Sequence, residues 1–211
     1  MKYTASLVQL NIDERLKRLR EDALAWEIPV ADDETLQYLL FTVTALQPKR
    51  ILEIGTAVGL SAAAMLLAVD GARVTTVELE EERYLEAKKN WADLGLSDRV
   101  NAYLGDAGEI IAMMDGQFDF VFLDGPKAQY EKYLFDLKRL MRKGAVLFAD
   151  DVLLFGWVSG EEETPMKRRS IVEKIRSYLQ TITADKDFVT SVLNVGDGVA
   201  VSVYLGRGEE K

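Results

Sequence analysis

After Pro48, short apolar runs alternate with stretches whose apolar residues recur at helical spacing. The runs at residues 50–54, 73–78, 99–104, 118–123 and 145–149 are dense in Val, Ile, Leu and Phe. That is the pattern of strands buried on both faces. Between them, residues 60–69, 81–94, 108–114 and 129–141 read as helices. Strands and helices in alternation predict a parallel sheet wound with right-handed crossovers. The rhythm breaks near the end, where a helix over 166–183 precedes two extended runs, 188–195 and 199–205. The turn Gly196-Asp197-Gly198 between them reads as an antiparallel hairpin. Ahead of Pro48, residues 13–26 and 33–46 carry helical periodicity, the second helix capped by Asp32 or Asp33.

Five parallel strands closed by a terminal hairpin predict an α/β fold of the Rossmann-like class I methyltransferase type. Its sheet is seven-stranded and mostly parallel, with helices on both faces. A dinucleotide-binding domain would instead continue with a sixth parallel strand. At 211 residues the chain fits one domain. Residues 1–47 would cover an acceptor site or a dimer partner, and 48–211 would form the cofactor-binding core.

Composition narrows the chemistry. The chain has no Cys and no His, which removes thiolate and imidazole nucleophiles, bases and metal ligands. Acid–base or metal chemistry then falls to Asp, Glu, Lys and Tyr, and any metal is a hard, oxygen-ligated cation. No apolar run approaches the ~20 residues that cross a bilayer, and residues 1–6 lack the apolar core of a secretory signal. A cytoplasmic protein without membrane contact is expected. The net charge of −9 argues against a dedicated nucleic-acid binder but leaves room for local basic patches.

The strand at 50–54 runs into Gly55-Thr-Ala-Val-Gly59. Ligands bind at the carboxyl ends of such strands, and Gly55 and Gly59 let the backbone approach one closely. The G-x-x-x-G spacing differs from the G-x-G-x-x-G that seats a pyrophosphate. Glu53, two residues earlier, is awkward beside phosphates but suits a cationic ligand, and S-adenosylmethionine carries both an ammonium and a sulfonium. Glu78, at the end of the second strand, is placed to accept from ribose hydroxyls. Asp106, in Gly105-Asp106-Ala107 after the third strand, is placed to meet the adenine amino group. Thr56, Ser61, Ala107 and Asp124 complete the expected cofactor set. These positions are also ordinary turn residues of an α/β sheet.

A second acidic group lies on the same rim. Asp124 ends the fourth strand, and Asp150 and Asp151 follow the fifth. Carboxylates gathered this way repel one another, and a divalent cation would relieve them: Mg²⁺, or Mn²⁺ or Ca²⁺. Successive strand residues point to opposite faces, so Asp150 and Asp151 share a metal only if the strand ends before them. Otherwise one is a ligand and the other a cap or surface acid. Lys127, three residues past Asp124, is a candidate base or orienting cation, or a surface lysine opening a helix. Tyr130, three further on, would lie on the same helix face as Lys127, as a substrate contact or as packing.

With these residues in place, the chain resembles the metal-dependent O-methyltransferases of the catechol and caffeoyl-coenzyme A type. The motifs are Leu52-Glu-Ile-Gly-Thr-Ala-Val-Gly59, Phe122-Leu-Asp-Gly-Pro-Lys127 with Tyr130, and Ala149-Asp150-Asp151. Within that group it is most similar to the bacterial tRNA 5-hydroxyuridine methyltransferases, through Lys167-Arg168-Arg169 and Val195-Gly-Asp-Gly198 as well. The resemblance implies metal ligands at Asp124, Asp150 and Asp151, with Asp124 and Lys127 catalytic. It also implies a homodimer. Asp151 departs from the family pattern, which commonly has Asn there.

The acceptor is then tRNA or a small catechol, since 5-hydroxyuridine and catechol both offer two adjacent oxygens. Three basic groups could meet phosphates: Arg15, Lys17, Arg18 and Arg20; Lys138, Arg139, Arg142 and Lys143; and Lys167, Arg168 and Arg169. Arg168 and Arg169 are the expected substrate contacts. The plainer reading is solvated helix faces balanced by nearby glutamates. An NAD(P)-dependent oxidoreductase and a non-catalytic binding module are the competing functions; the glycine spacing and the lack of His oppose the first.

Overall fold

The computed structural model of the protein describes Tyr3 and residues 5–206. Part of the N-terminal stretch read for a secretory signal, residues 1, 2 and 4, lies outside them. Two helices come first, α1 (Glu14–Ala25) and α2 (Asp33–Leu46). Asp32 caps α2, its side chain accepting from the Thr35 N–H at 2.8 Å. Leu36, Leu39 and Val43, at helical spacing, have no exposed surface and press α2 onto the sheet.

The alternating part follows as β1 (Arg50–Ile54), α3 (Leu60–Ala68), β2 (Arg73–Glu78), α4 (Glu81–Asp93), β3 (Val100–Leu104), α5 (Ala107–Met113), β4 (Phe118–Leu123), α6 (Tyr130–Leu140) and β5 (Met141–Ala149). The chain ends in α7 (Arg169–Ala184), β6 (Phe188–Leu193) and β7 (Val199–Tyr204). All seven strands form one sheet in the order β3-β2-β1-β4-β5-β7-β6. β1 to β5 pair in parallel, and β7 runs antiparallel between β5 and β6. This is the expected Rossmann-like class I methyltransferase fold, hairpin included.

Strand alternation divides the core in two. Ile51, Phe120, Phe122 and Phe148 face α1–α4, while Leu52, Val121, Leu123 and Leu147 face α5–α7. One boundary differs from the sequence reading. β5 starts at Met141, where Met141 pairs with Phe118, and a register shift follows before Phe120 meets Val146. The intervening Arg142, Lys143 and Gly144 are exposed, so their polar pattern hides the first part of the strand. No helix among the described residues is long and apolar enough to cross a membrane.

Candidate active site

The carboxyl ends of β1 to β5 open into one cavity of about 600 Å³, closed over by residues 29–32 and by Asp197 of the hairpin turn. Such a volume suits a small-molecule site. At the β1 end, Gly55 has φ +99°, and a Cβ there would collide with the Asp124 carbonyl. The close passage of the β1 and β4 loops therefore requires glycine. Gly59, φ +79°, touches the Trp91 indole in the same way, and the Trp91 ring N–H donates to its carbonyl at 2.9 Å.

Glu78 ties the loops after β1 and β2 together. Its Oε2 accepts from the N–H groups of Thr56 (3.2 Å) and Ala57 (2.8 Å), and its Oε1 from those of Leu79 and Glu80, both at 2.9 Å. Glu53 sits deeper than expected. It has no exposed surface and accepts from Ser61 and Thr76 hydroxyls, each at 2.6 Å. Ser61 lines the cavity and Glu53 does not, so Glu53 adjoins the cavity through that hydroxyl. Burial pushes Glu53 up to about 7, partly offset by the two hydroxyl donors and reinforced by Asp124 and Glu78. Asp106 lines the cavity and caps α5 through the Glu109 N–H at 3.1 Å, with Ala107 beside it.

At the other end, β5 stops at Ala149, so the condition on the Asp pair is met. Asp151 adopts the left-handed conformation, φ 55°, and turns its carboxylate to Lys127. The Lys127 ammonium lies 2.5 Å from Asp124 and 3.0 Å from Asp151. Asp150 turns elsewhere: its Oδ1 accepts from the Asp151 N–H at 2.7 Å and stands 3.5 Å from the Thr35 hydroxyl. The three carboxylates adjoin, and as they stand here no group of three is drawn together around one ion position among the described residues. Lys127 stands between Asp124 and Asp151 of the expected ligand set. In chemistry the set still fits a hard cation. It is all oxygen, and burial followed by mutual like charge pushes Asp150 well up. Burial likewise raises Asp124, against the opposing pull of Lys127.

Lys127 is drawn down by burial, but Tyr130, Asp124 and Asp151 outweigh that and hold it protonated. Tyr130 does not face the cavity. A 3-10 turn, Lys127–Gln129, precedes α6, and Tyr130 drops beneath it with no exposed surface. Its hydroxyl donates to the Leu123 carbonyl at 3.0 Å and its ring meets Tyr178 edge-on. The Lys127 ammonium lies 5.7 Å above the Tyr130 ring. A substrate contact by Tyr130 is thus replaced by a supporting one.

The basic groups separate. Arg15, Lys17 and Arg20 pair with Asp13, Glu14 and Asp33, and Lys138 and Arg142 with Asp185 and Asp119. Arg139 donates to the carbonyls of Met114 and Ile111. Lys167, Arg168 and Arg169 are exposed, and none has an ion pair among the described residues. They do not line the cavity.

Sequence reasoning missed Thr76, Asp197 and Tyr133. Thr76, a buried polar residue two before Glu78, was detectable from the strand's period. Asp197 was read only as a turn residue. Tyr133 looks like any core aromatic on an amphipathic helix.

Residues 6–204 match the model of a protein family described as O-methyltransferase. The chain belongs to the O-methyltransferase family. A caffeoyl-CoA O-methyltransferase from Populus kitakamiensis is 28% identical over 89% of this chain and 85% of its own. An O-methyltransferase from Bacillus cereus, solved with S-adenosylhomocysteine, is 25% identical with a TM-score of 0.80, covering 96% of this chain and 95% of its own. The Streptomyces achromogenes O-methyltransferase TomG, solved with S-adenosylmethionine, is also 25% identical, with a TM-score of 0.82 over 97% and 95% of the two chains. The protein is an S-adenosylmethionine-dependent O-methyltransferase of the caffeoyl-CoA and catechol type. Hydride transfer with NAD(P) and a non-catalytic role are set aside.

Proposed function

We propose that this O-methyltransferase acts with a divalent cation on a hydroxyl that has a neighbouring oxygen, and that its acceptor is 5-hydroxyuridine in tRNA. The observation that carries the reading is the continuity of one cavity from Ser61 and Glu78 to Asp124, Lys127, Asp150 and Asp151. Cofactor and acceptor thereby meet over Lys127.

Glu78 would hold the ribose hydroxyls, Asp106 the adenine, and Glu53 through Ser61 the cofactor's ammonium. Asp124, Asp150 and Asp151 would hold Mg²⁺, or Mn²⁺ or Ca²⁺, which would supply Lewis-acid stabilisation of the ionised hydroxyl. Lys127, fixed by Asp124, Asp151 and the Tyr130 ring, donates to the acceptor oxygen and keeps it ionised. Lys127 relays the hydroxyl proton to the Asp124 carboxylate, which burial primes to take it, and ends again as the ammonium. The oxygen lone pair forms the bond to the methyl carbon, and the carbon–sulfur pair stays on sulfur as a neutral thioether. Much of the rate comes from positioning, because the sulfonium is already a good leaving group.

Lys167, Arg168 and Arg169 support tRNA. Among the described residues they are the basic group of the three without acidic partners, and they follow the loop whose first residues line the cavity. The Populus relative, named for caffeoyl-CoA, favours a second reading, a small catechol-like acceptor. A second copy of the chain is the expected partner: exposed Phe41 of α2 and the paired, exposed Val189 and Val203 of the hairpin are apolar surface for it.

Methyl-labelled S-adenosylmethionine, offered with 5-hydroxyuridine-bearing tRNA, the nuclease-treated tRNA and free catechol, tests the acceptor. Label in the intact tRNA above the other two supports it. Ready turnover of catechol with no label in tRNA overturns it.

A further inference from the structure

Tyr133, on α6, lines the cavity where β2 and β3 bring Glu78 and Asp106 to its wall, yet it is only 4% exposed. Its ring packs over the first turn of α5. A Cβ added at Gly108 would stand 3.1 Å from Asp106 Oδ1 and 3.4 Å from Tyr133 Cε1, so both side chains converge on that turn. Among the described residues the Tyr133 hydroxyl has no hydrogen-bond partner. That hydroxyl is not sealed from water, because the buried side-chain polar atom without a partner among the described residues is the Tyr178 hydroxyl; the Tyr133 hydroxyl opens on the cavity and is free to donate to a ligand there. Asp106 uses Oδ1 to cap α5, and Oδ2 remains for a donor.

We infer that Tyr133 is a further cofactor-binding residue, which with Asp106 reads the amino edge of adenine. The assignment rests on the cavity holding S-adenosylmethionine. A carboxylate accepts only, and the 6-amino group of adenine donates. The phenol donates, and the adjacent ring nitrogen N1 accepts. The two side chains thus present the acceptor–donor pair that complements adenine. Hypoxanthine reverses that edge, with an oxygen at position 6 and a hydrogen on N1, so it meets like against like at both points. Burial, with a smaller push from Asp106, raises Tyr133 to about 12, so the phenol keeps its proton for donation throughout the neutral range.

Calorimetric titration of S-adenosylhomocysteine and S-inosylhomocysteine into the wild type and Tyr133→Phe tests this. Phenylalanine keeps the ring packing and deletes the hydroxyl. The wild type should prefer the adenine compound. The variant should bind it about five- to tenfold more weakly while holding the hypoxanthine compound within about twofold, and should melt no lower than the wild type without ligand. An unchanged preference, or equal weakening of both ligands, overturns the assignment alone. Equal wild-type affinity for the two ligands overturns it without any variant. A wild type that binds neither overturns it together with the cofactor reading.

Discussion

Asp151 Oδ2 lies 3.0 Å from Lys127 Nζ, and it gets there through a left-handed backbone turn directly after β5. Asp and Asn tolerate that conformation better than most residues. The turn lets a residue that strand alternation would send to the opposite face join Asp124 in holding the lysine. In the proposed mechanism Lys127, fixed by these two carboxylates, is the donor to the acceptor oxygen. Lys127→Met should lower kcat by about 10²- to 10⁴-fold, the range for a positioned proton-handling group. Affinity for S-adenosylhomocysteine should stay within about threefold, because the cofactor half does not depend on that ammonium. Single-turnover rates and calorimetry check this; equal loss of rate and cofactor affinity would assign Lys127 to cofactor binding instead.

Tyr130 donates its hydroxyl to the Leu123 carbonyl and carries no exposed surface. Tyr130→Phe should therefore lower stability by about 1 kcal/mol, the net worth of a lost buried hydrogen bond, since the Leu123 carbonyl keeps the Asp150 N–H as a donor. KM for the acceptor should change by less than about twofold. Denaturant unfolding together with steady-state kinetics separates the two roles. A large rise in KM at unchanged stability would return Tyr130 to the substrate.

Glu53 has an ordinary value of 4.5 and is raised to about 7, chiefly by burial. The folded value exceeds the unfolded one, so the fold favours the protonated carboxyl. Its contribution is complete below about pH 4.5 and is lost as the pH rises through about 7. It amounts to about 3 kcal/mol at most. In ligand-free protein, Glu53→Gln should flatten the fall in stability over that window while keeping the Ser61 contact. Parallel stability–pH curves for the two proteins would show that Glu53 is not raised.

Much of the fold and the rim was legible in the chain. Strands buried on both faces leave unbroken apolar runs, and loops after such strands mark the rim, which located Glu78, Asp106, Asp124 and Asp150 from residue order alone. The misses have physical causes. The exposed Arg142-Lys143-Gly144 segment of β5 breaks the apolar run through a register shift. Helical spacing put Tyr130 beside Lys127, whereas the 3-10 turn at Lys127–Gln129 tucks its ring underneath. Nothing in the pair Asp150-Asp151 announces a left-handed turn. Tyr133 hides among the apolar positions of α6, because periodicity reports which face a residue occupies and not whether its hydroxyl finds a partner.

Among the described residues, Lys167, Arg168 and Arg169 stand exposed without ion pairs, while most of the other basic side chains are engaged within the molecule. Reversing Arg168 and Arg169 to Glu should weaken tRNA binding by about tenfold or more and flatten its dependence on salt. Turnover of free catechol should be unaffected. Binding isotherms at several salt concentrations measure this, and an unchanged slope would place the phosphate contacts elsewhere.

The central claim is that one cavity joins the cofactor loop to Asp124 for transfer to oxygen. The direct measurement is mass-spectrometric analysis of the product formed from S-adenosylmethionine by the wild type and by Asp124→Asn, with cofactor binding measured in parallel. The account predicts an O-methylated product from the wild type, and at least about a hundredfold slower formation by the variant with S-adenosylhomocysteine still bound. An O-methylated product formed equally fast by Asp124→Asn would contradict it.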